Sequence, residues 1–304
     1  LNRISYVNGR FVRHAHASVH VEDRGFQFGD AVYEVWTVFD GRLLDEEGHF
    51  TRLDRSLSEL SIRNPKSRQA YLAIIRELLR RNRIRDGLIY LQVSRGAAPR
   101  DHVFGNQEAS PTVVLTAKRV DFKAKEAKAA IGVSVITLRD QRWSRCDIKT
   151  VNLLPNVLAK QAAFEAGAGE AWLLDAEDFI TEGSSSNAWI VTSEGVLMTR
   201  PADNAILNGV TRRRVIACAK QLGLGFEERA FSLSEAVRAR EAFITSASTF
   251  VTPVVQIDDE IIANGAPGSI SLSLRDAYQQ CNQIDTPNIE QDGTVAAGGQ
   301  PCIP

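Results

Sequence analysis

Apolar and polar positions along the chain recur with two periods, and the switches between them mark out the expected elements. Ile4–Val12 alternates around Asn8-Gly9, a pair suited to the left-handed backbone of a tight turn, so a β-hairpin is expected. Val32–Val38 reads as a strand ending at an Asp40-Gly41 turn, with Tyr33 and Val35 on one face and Glu34 and Trp36 on the other. Between Glu46 and Ile62, Phe50, Leu53, Leu57 and Leu60 fall at helical spacing. Arg52 lies beside that stripe and by local pattern alone reads as an exposed helix cation. Arg68–Leu79 predicts a second amphipathic helix that buries Tyr71, Ile74, Ile75, Leu78 and Leu79. Leu88–Val93 and Thr112–Leu115 read as strands, separated by a loop, SRGAAPRDHVFG, whose glycine and proline fit poorly in a sheet.

The stretch RVDFKAKEAKAA that follows is charged and alanine-rich without core periodicity, and residues 120–130 are expected to be an interdomain linker. Beyond it the pattern predicts a strand at Gly132–Leu138, a helix at Leu153–Ala166, and strands at Glu170–Leu174 and Asn187–Thr192. A helix beginning within Ile206–Ile216 and a last helix near Ser271–Cys281 complete the series. The expected organisation is α/β (α+β) with two domains: a small one over residues 1–119 and a large one over 131–284. Residues 285–304 form a polar tail without periodicity.

Composition removes several function classes. The 304 residues carry 36 Lys+Arg against 37 Asp+Glu, a formal net charge of −1, which gives no electrostatic reason to expect a nucleic-acid partner. The basic run Arg80–Arg85 reads as the solvated C-terminal end of a helix, where cations oppose the dipole. No apolar run approaches the roughly 20 residues of a membrane helix, so no membrane association is expected. The first residues, LNRISYVNGRFV, lack a signal-peptide layout, and the four cysteines show no paired spacing. A cytoplasmic globular protein without a metal site is the expectation.

Chemistry concentrates around RCDIKTVNLLPNVLAKQAA, where Lys149 stands between an arginine-rich approach and a helix. Enclosure and neighbouring cations favour a neutral amine able to attack a carbonyl, whereas an ordinary lysine is solvated. Arg100 and His102, one residue apart on a loop, can aim a planar fork and a second donor at one anion. They also fit a decorated surface loop. Glu182, followed by Gly183 and three serines, suits a carboxylate facing a protonated heteroaromatic nitrogen; a turn glutamate with turn-forming serines reads equally well. Val210 and Thr211 open a helix whose first amides can hold a phosphate, although threonine also starts helices as a cap. Thr245, Ser246, Ser248 and Thr249 gather as a second candidate anion cradle.

Taken in order, EDRGFQFGDAVYEV, HFTRLDRSL, YLQVSRGAAPRDHVF, RWSRCDIKTVNLL, ITEGSSSN, ILNGVTR and FITSAS resemble fold-type IV pyridoxal-phosphate enzymes, and within that group the D-amino-acid transaminases. The resemblance spans roughly residues 4–280. It implies that Lys149 forms a Schiff base with pyridoxal 5′-phosphate and shuttles the Cα proton, and that Glu182 keeps the pyridine nitrogen protonated. It implies phosphate contacts from Arg52, Val210 and Thr211, and further cofactor contacts from Ser186, Asn187, Leu207, Ser246, Ala247 and Ser248. Tyr33, Arg100 and His102 match the group that traps the substrate carboxylate, with Val35 also on the substrate side. The loop carrying Arg100 reaches in from a neighbouring subunit in that family, which implies a homodimer.

The implied reaction moves an amino group from a D-amino acid to a 2-oxo acid by a ping-pong cycle. Departures from the family pattern are Ala247 in place of a phosphate-binding threonine, Phe250 in place of a glutamate, and the bulky or apolar Trp36 and Phe26. A narrowed, more apolar pocket points to an R-selective amine transaminase as the alternative; a branched-chain enzyme shares the same fold. A non-catalytic binding protein on this scaffold would be expected to lose Lys149, Glu182 or Arg52, and all three are present.

Overall fold

The computed structural model of the chain describes residues 3–104 and 110–285. It divides into two compact units. One holds the described residues up to Asp121 together with Ile148–Asn152, and the other holds Phe122–Asp147 and Leu153–Ile284. The expected tail from residue 286 onward lies outside the described residues.

The first unit is built on a six-stranded antiparallel sheet backed by two helices. Its hairpin pairs Ile4–Val7 with Arg10–Arg13, and Asn8 and Gly9 both take positive φ at the turn. The central strands are Ala31–Phe39, Gly87–Ser94 and Thr112–Arg119, each paired antiparallel to the next along eight registers. Alternation along Ala31–Phe39 sends Trp36 and Val38 into the core while Tyr33 and Val35 stay half-buried on the other face. Helices Glu46–Glu59 and Arg68–Asn82 cover that core with Phe50, Leu53, Leu57, Tyr71, Ile75, Leu78 and Leu79; Ile74 is only partly covered. Arg83 closes the second helix in the left-handed conformation, just after the exposed Arg80 and Arg81 of its last turn.

Ile148–Asn152 belongs with this sheet for a backbone reason. The strand Arg42–Leu43 pairs with Val38 and Phe39, leaving the start of Ala31–Phe39 with an open edge. The Lys149 segment covers it: Tyr33 N donates to Lys149 O at 3.0 Å and Val151 N to Ala31 O at 3.1 Å. Satisfying those backbone groups explains why a five-residue excursion joins a sheet from which it is remote in sequence.

The second unit is a nine-stranded mixed sheet with helices. Its order runs Phe226–Glu228, Leu197–Thr199, Asn187–Val191, Glu241–Ser246, Phe250–Ile257, Val133–Arg139, Glu170–Leu174, Ile180–Gly183, and Glu260–Ile261 pairs with Phe250–Ile257. Buried Trp172, Phe231, Ile190, Ile244 and Val254 fill one core. The expected linker over 120–130 is instead the helix Phe122–Ile131. Its apolar residues are too few to set a period, yet Phe122 and Ala129 are buried and Phe122 stacks on Phe250, 5.9 Å between ring centroids. Glu182 lies in a strand rather than a turn, because Ile180–Gly183 pairs with Glu170–Leu174.

Candidate active site

In the first unit Lys149 is half-buried, and its Nζ lies 4.2 Å from the centroid of the Tyr33 ring. A cation over an aromatic face is held by the ring quadrupole, so the amine has a defined resting place. Its backbone is pinned as well, since the Lys149 amide donates to Ser56 Oγ at 3.3 Å. Tyr33 in turn stacks on Tyr90, 5.6 Å between centroids and 29° between planes. Burial, with Tyr33 adjacent, pushes the Tyr90 hydroxyl up to about 12, and that hydroxyl donates to Gln92 at 2.7 Å.

On the other face of the same strand, Glu34 is fully buried and accepts from Arg52 twice, from Nε at 2.7 Å and from Nη2 at 2.9 Å. Local pattern places Arg52 on the surface; in the fold it is 8% exposed. The correction follows from Glu34, which alternation turns inward and which then needs a cation. His49, one helical turn before Arg52, completes the cluster with Nδ1 2.7 Å from Glu34 Oε2. Burial would push the Glu34 carboxyl up, but the Arg52 charge and hydrogen bonds from Arg52 and His49 hold it far below the carboxylate range. Periodicity missed Glu34 and His49; a charge on an inward strand face was the available signal.

Arg100 and His102 share one aromatic platform. The Arg100 guanidinium lies 4.8 Å from the Phe28 ring centroid, and the His102 ring centroid lies 5.6 Å from it. Phe28 ends the short helix Arg24–Phe28, which Asp23 caps and Gly29 closes at φ 70°. A Cβ at Gly29 would fall 2.0 Å from Asn152 Oδ1. The last loop residue expected from sequence, Gly105, lies outside the described residues.

In the second unit Glu182 is 5% exposed, and donors converge on its carboxylate. Asn187 Nδ2 reaches Oε2 at 2.9 Å, the Leu207 amide reaches both oxygens at 3.1 and 3.2 Å, and Arg142 pairs with Oε1. All of these stabilise the charged form. Arg142 is bound to Asp140 as well; burial works against its charge, but the Asp140 hydrogen bond and the Glu182 and Asp140 charges raise it far above its ordinary value. Arg145 pairs with Asp147 at 2.9 Å. The arginine-rich approach to Lys149 is therefore a set of ion pairs rather than uncompensated positive charge.

The serine run after Gly183 does something the sequence did not disclose. Ser184, Ser185 and Ser186 all donate to the carboxylate of Glu170, the latter two at 2.8 and 3.1 Å. Glu170 is 1% exposed and also pairs with Lys160. The Ser186 hydroxyl is thus engaged inside the protein, and Glu170 fixes the turn that joins Glu182 to Asn187.

Asn187 extends the cluster to a helix N-terminus. Its Nδ2 also donates to Leu207 O at 2.8 Å, and a Cβ on Gly209 would fall 2.1 Å from its Oδ1. Helix Val210–Gln221 starts there with no side-chain cap from Gly209. Thr211 Oγ1, at that terminus, is buried without a hydrogen-bond partner. An orphaned hydroxyl beside uncapped helix amides is the arrangement that a bound phosphate satisfies. Asn187 pairs with Thr245 across the sheet, which brings the turn at Ser246–Ala247–Ser248 to the same end. There the Ser246 hydroxyl bonds Thr249 at 2.8 Å and faces Ser248 at 3.4 Å. The donor set of this unit, a buried carboxylate next to an anion cradle, fits pyridoxal 5′-phosphate.

Of the three residues expected to narrow the pocket or make it more apolar, Trp36 and Phe250 are buried in packed interiors and Phe26 is exposed. Trp36 is wholly inside the first core against His49 and Phe50. Phe250 is 3% exposed between Phe122 and Tyr278, with positive φ at the turn that Arg275 braces through Thr249 O and Val251 O. Phe26 is 73% exposed.

Comparison with known proteins bears on the whole arrangement. Residues 31–257 match the family model described as amino-transferase class IV. The D-alanine aminotransferase of Bacillus licheniformis is 42% identical over 272 residues, spanning 90% of this chain and 94% of that protein. The D-alanine aminotransferase of Listeria monocytogenes is 40% identical over 285 residues, 92% and 98% of the two chains. Among solved structures, a T.th. branched-chain amino acid aminotransferase with pyridoxamine 5′-phosphate superposes with a TM-score of 0.83 at 28% identity, covering 92% of this chain and 94% of that one. The branched-chain enzyme from Escherichia coli gives 0.83 at 22%, covering 96% and 100%, which speaks to fold alone.

Proposed function

We propose a D-amino-acid transaminase reading for this chain, which belongs to the class IV aminotransferase family. As an aminotransferase it takes an amino donor and a 2-oxo acid acceptor. The reading makes the donor a D-amino acid such as D-alanine and the acceptor a 2-oxo acid such as 2-oxoglutarate, exchanged in two half-reactions of a ping-pong cycle.

Pyridoxal 5′-phosphate, when bound, supplies the electron sink that makes a Cα proton removable. Lys149 would hold it through Nζ, and the same amine would move the proton at the donor Cα. Tyr33 steadies that amine between steps. Glu182, fixed by Asn187, Leu207 and Arg142, would hold a proton on the ring nitrogen. Thr211, the amides of Val210 and Thr211 and the Ser246–Ser248 turn would hold the phosphate, and the family resemblance adds Arg52 to that role. Arg100, His102 and Tyr33 orient the donor carboxylate, so that one Cα–H bond faces the lysine.

The observation that carries the D-amino-acid reading is the pairing of Arg100 and His102 on the Phe28 ring. It presents two donor groups together from one loop, a suitable grip for a carboxylate. The 40–42% identity to D-alanine aminotransferases over nine-tenths of the chain points the same way. A homodimer is part of the reading. Helix Leu154–Glu165 leaves Leu154, Val157, Leu158 and Phe164 between 57% and 76% exposed, apolar surface that a second copy would cover.

The test is a single half-reaction. Holoenzyme is mixed separately with D-alanine, L-leucine and R-1-phenylethylamine while the cofactor band is followed. Fast bleaching by D-alanine alone is expected. Bleaching mainly by L-leucine or by the amine overturns the reading in favour of a branched-chain or amine transaminase.

A further inference from the structure

Behind the loop that carries Arg100 and His102 lies a buried arginine with no part in the chemistry so far. Arg24 is 3% exposed at the start of the short helix Arg24–Phe28. Its Nε binds Asp30 Oδ2 at 2.9 Å. Its two terminal nitrogens donate to three consecutive loop carbonyls: Nη1 to Asp101 O at 2.6 Å and Val103 O at 3.2 Å, and Nη2 to His102 O at 3.4 Å. The same guanidinium lies 4.8 Å from the Phe28 ring centroid, matching the distance of Arg100 from that ring.

Asp30 is shared. Arg95 takes it at 2.7 and 3.0 Å and ties it to the end of the helix Glu46–Glu59 through Leu60 O at 2.6 Å and Ser61 O at 3.0 Å. Arg95 also lies 3.6 Å from the Phe104 ring centroid. The loop backbone is therefore held by Arg24 and the Phe104 ring by Arg95, with Asp30 shared between the two arginines. A rigid planar fork is needed to serve one carboxylate and three carbonyls at once; a lysine ammonium has fewer donors and no plane.

We infer that Arg24 is a positioning residue for substrate-carboxylate recognition, acting through the loop it clamps rather than by touching substrate. This rests on the reading that Arg100 and His102 grip that carboxylate. With carbonyls 101–103 held by Arg24, the side chains of Arg100 and His102 both rest on Phe28, preorganised for an anion. Without the clamp the loop must be ordered by the substrate itself, which weakens binding while leaving the reacting groups unchanged.

The experiment is D-alanine kinetics of the holoenzyme in a double-mutant cycle of Arg24→Gln and Arg100→Ala. Arg24→Gln is expected to raise the D-alanine KM by about tenfold, with kcat within about twofold, since only donor binding depends on the loop. In the Arg100→Ala background the same change is expected to raise KM by clearly less than it does in the parent, about threefold at most, because only His102 is then left for the clamp to position. The cofactor absorbance stays as in the parent. Equal losses in both backgrounds, or a fall in kcat at unchanged KM, overturn the inference and make Arg24 an ordinary structural arginine. Should Arg24→Gln fail to fold, Arg24→Lys keeps the charge beside Asp30 and carries the same cycle. If Arg100→Ala alone leaves the D-alanine KM unchanged, the carboxylate reading itself fails, an outcome distinct from a clamp that does not couple.

Discussion

Arg52 and Glu34 meet through two parallel hydrogen bonds, Nε to Oε1 at 2.7 Å and Nη2 to Oε2 at 2.9 Å, inside the first core. Removing one charge of such a pair strands the other out of water, which costs about 3–5 kcal/mol. Glu34→Gln is therefore expected to lower unfolding free energy by that amount in urea titrations. The released Arg52 should also hold the cofactor less firmly, read as faster loss of its absorbance on dialysis. A change below about 1 kcal/mol would mean that the pair contributes little beyond a hydrogen bond.

His49 gives the same cluster a pH dependence. Burial lowers its tendency to take a proton, more than Glu34 restores it, so folded His49 protonates below its ordinary value of 6.5. The unfolded chain then binds the proton first, and stability falls as pH drops below about 6.5. Glu34, also depressed on folding, adds a second decline below its ordinary 4.5. Melting temperature should be flat above pH 7 and fall in two stages. His49→Asn should lose the upper stage and keep the lower, as followed by calorimetry from about pH 2 to 8.

Thr211 separates cofactor binding from folding. Its buried hydroxyl has no partner in the protein, so Thr211→Val removes an unsatisfied group at nearly constant shape. The apoprotein should be as stable as the parent or slightly more so. Affinity for pyridoxal 5′-phosphate should fall several-fold in a fluorescence titration. Unchanged affinity would remove Thr211 from the phosphate site.

Glu170 gathers three serine hydroxyls and Lys160 around one buried carboxylate. Glu170→Gln weakens charge-assisted bonds that together are worth more than the roughly 1.5–3 kcal/mol of a single one. A loss of at least about that lower figure is expected in denaturant unfolding. Because those serines set the turn between Glu182 and Asn187, the absorbance of the bound cofactor should shift as well.

Lys149→Ala should abolish turnover while the circular dichroism spectrum is kept, and borohydride should no longer fix cofactor to the chain. Near-parental activity in that variant would remove the lysine from the mechanism.

Much of this was legible in local pattern. The Asn8-Gly9 hairpin, the helices Glu46–Glu59 and Arg68–Asn82 and the strand Glu170–Leu174 follow from turn chemistry and periodicity, since neighbouring residues alone decide which face is apolar. Lys149, Glu182 and the Val210–Thr211 helix start were singled out as candidates by the family resemblance, since the local pattern at each read equally well as ordinary structure. What tertiary structure decided concerns partners remote in sequence. Helical spacing left Arg52 exposed because its counter-ion, Glu34, comes from a strand 18 positions earlier. Phe122–Ile131 is a helix without a periodic stripe because Phe250 supplies the ring for Phe122 to stack on. Lys149 sits at its sheet because an open strand edge at Ala31–Tyr33 demanded backbone donors and acceptors. Buried charge and unpaired backbone are satisfied by whichever group the fold brings near, and no local period records that.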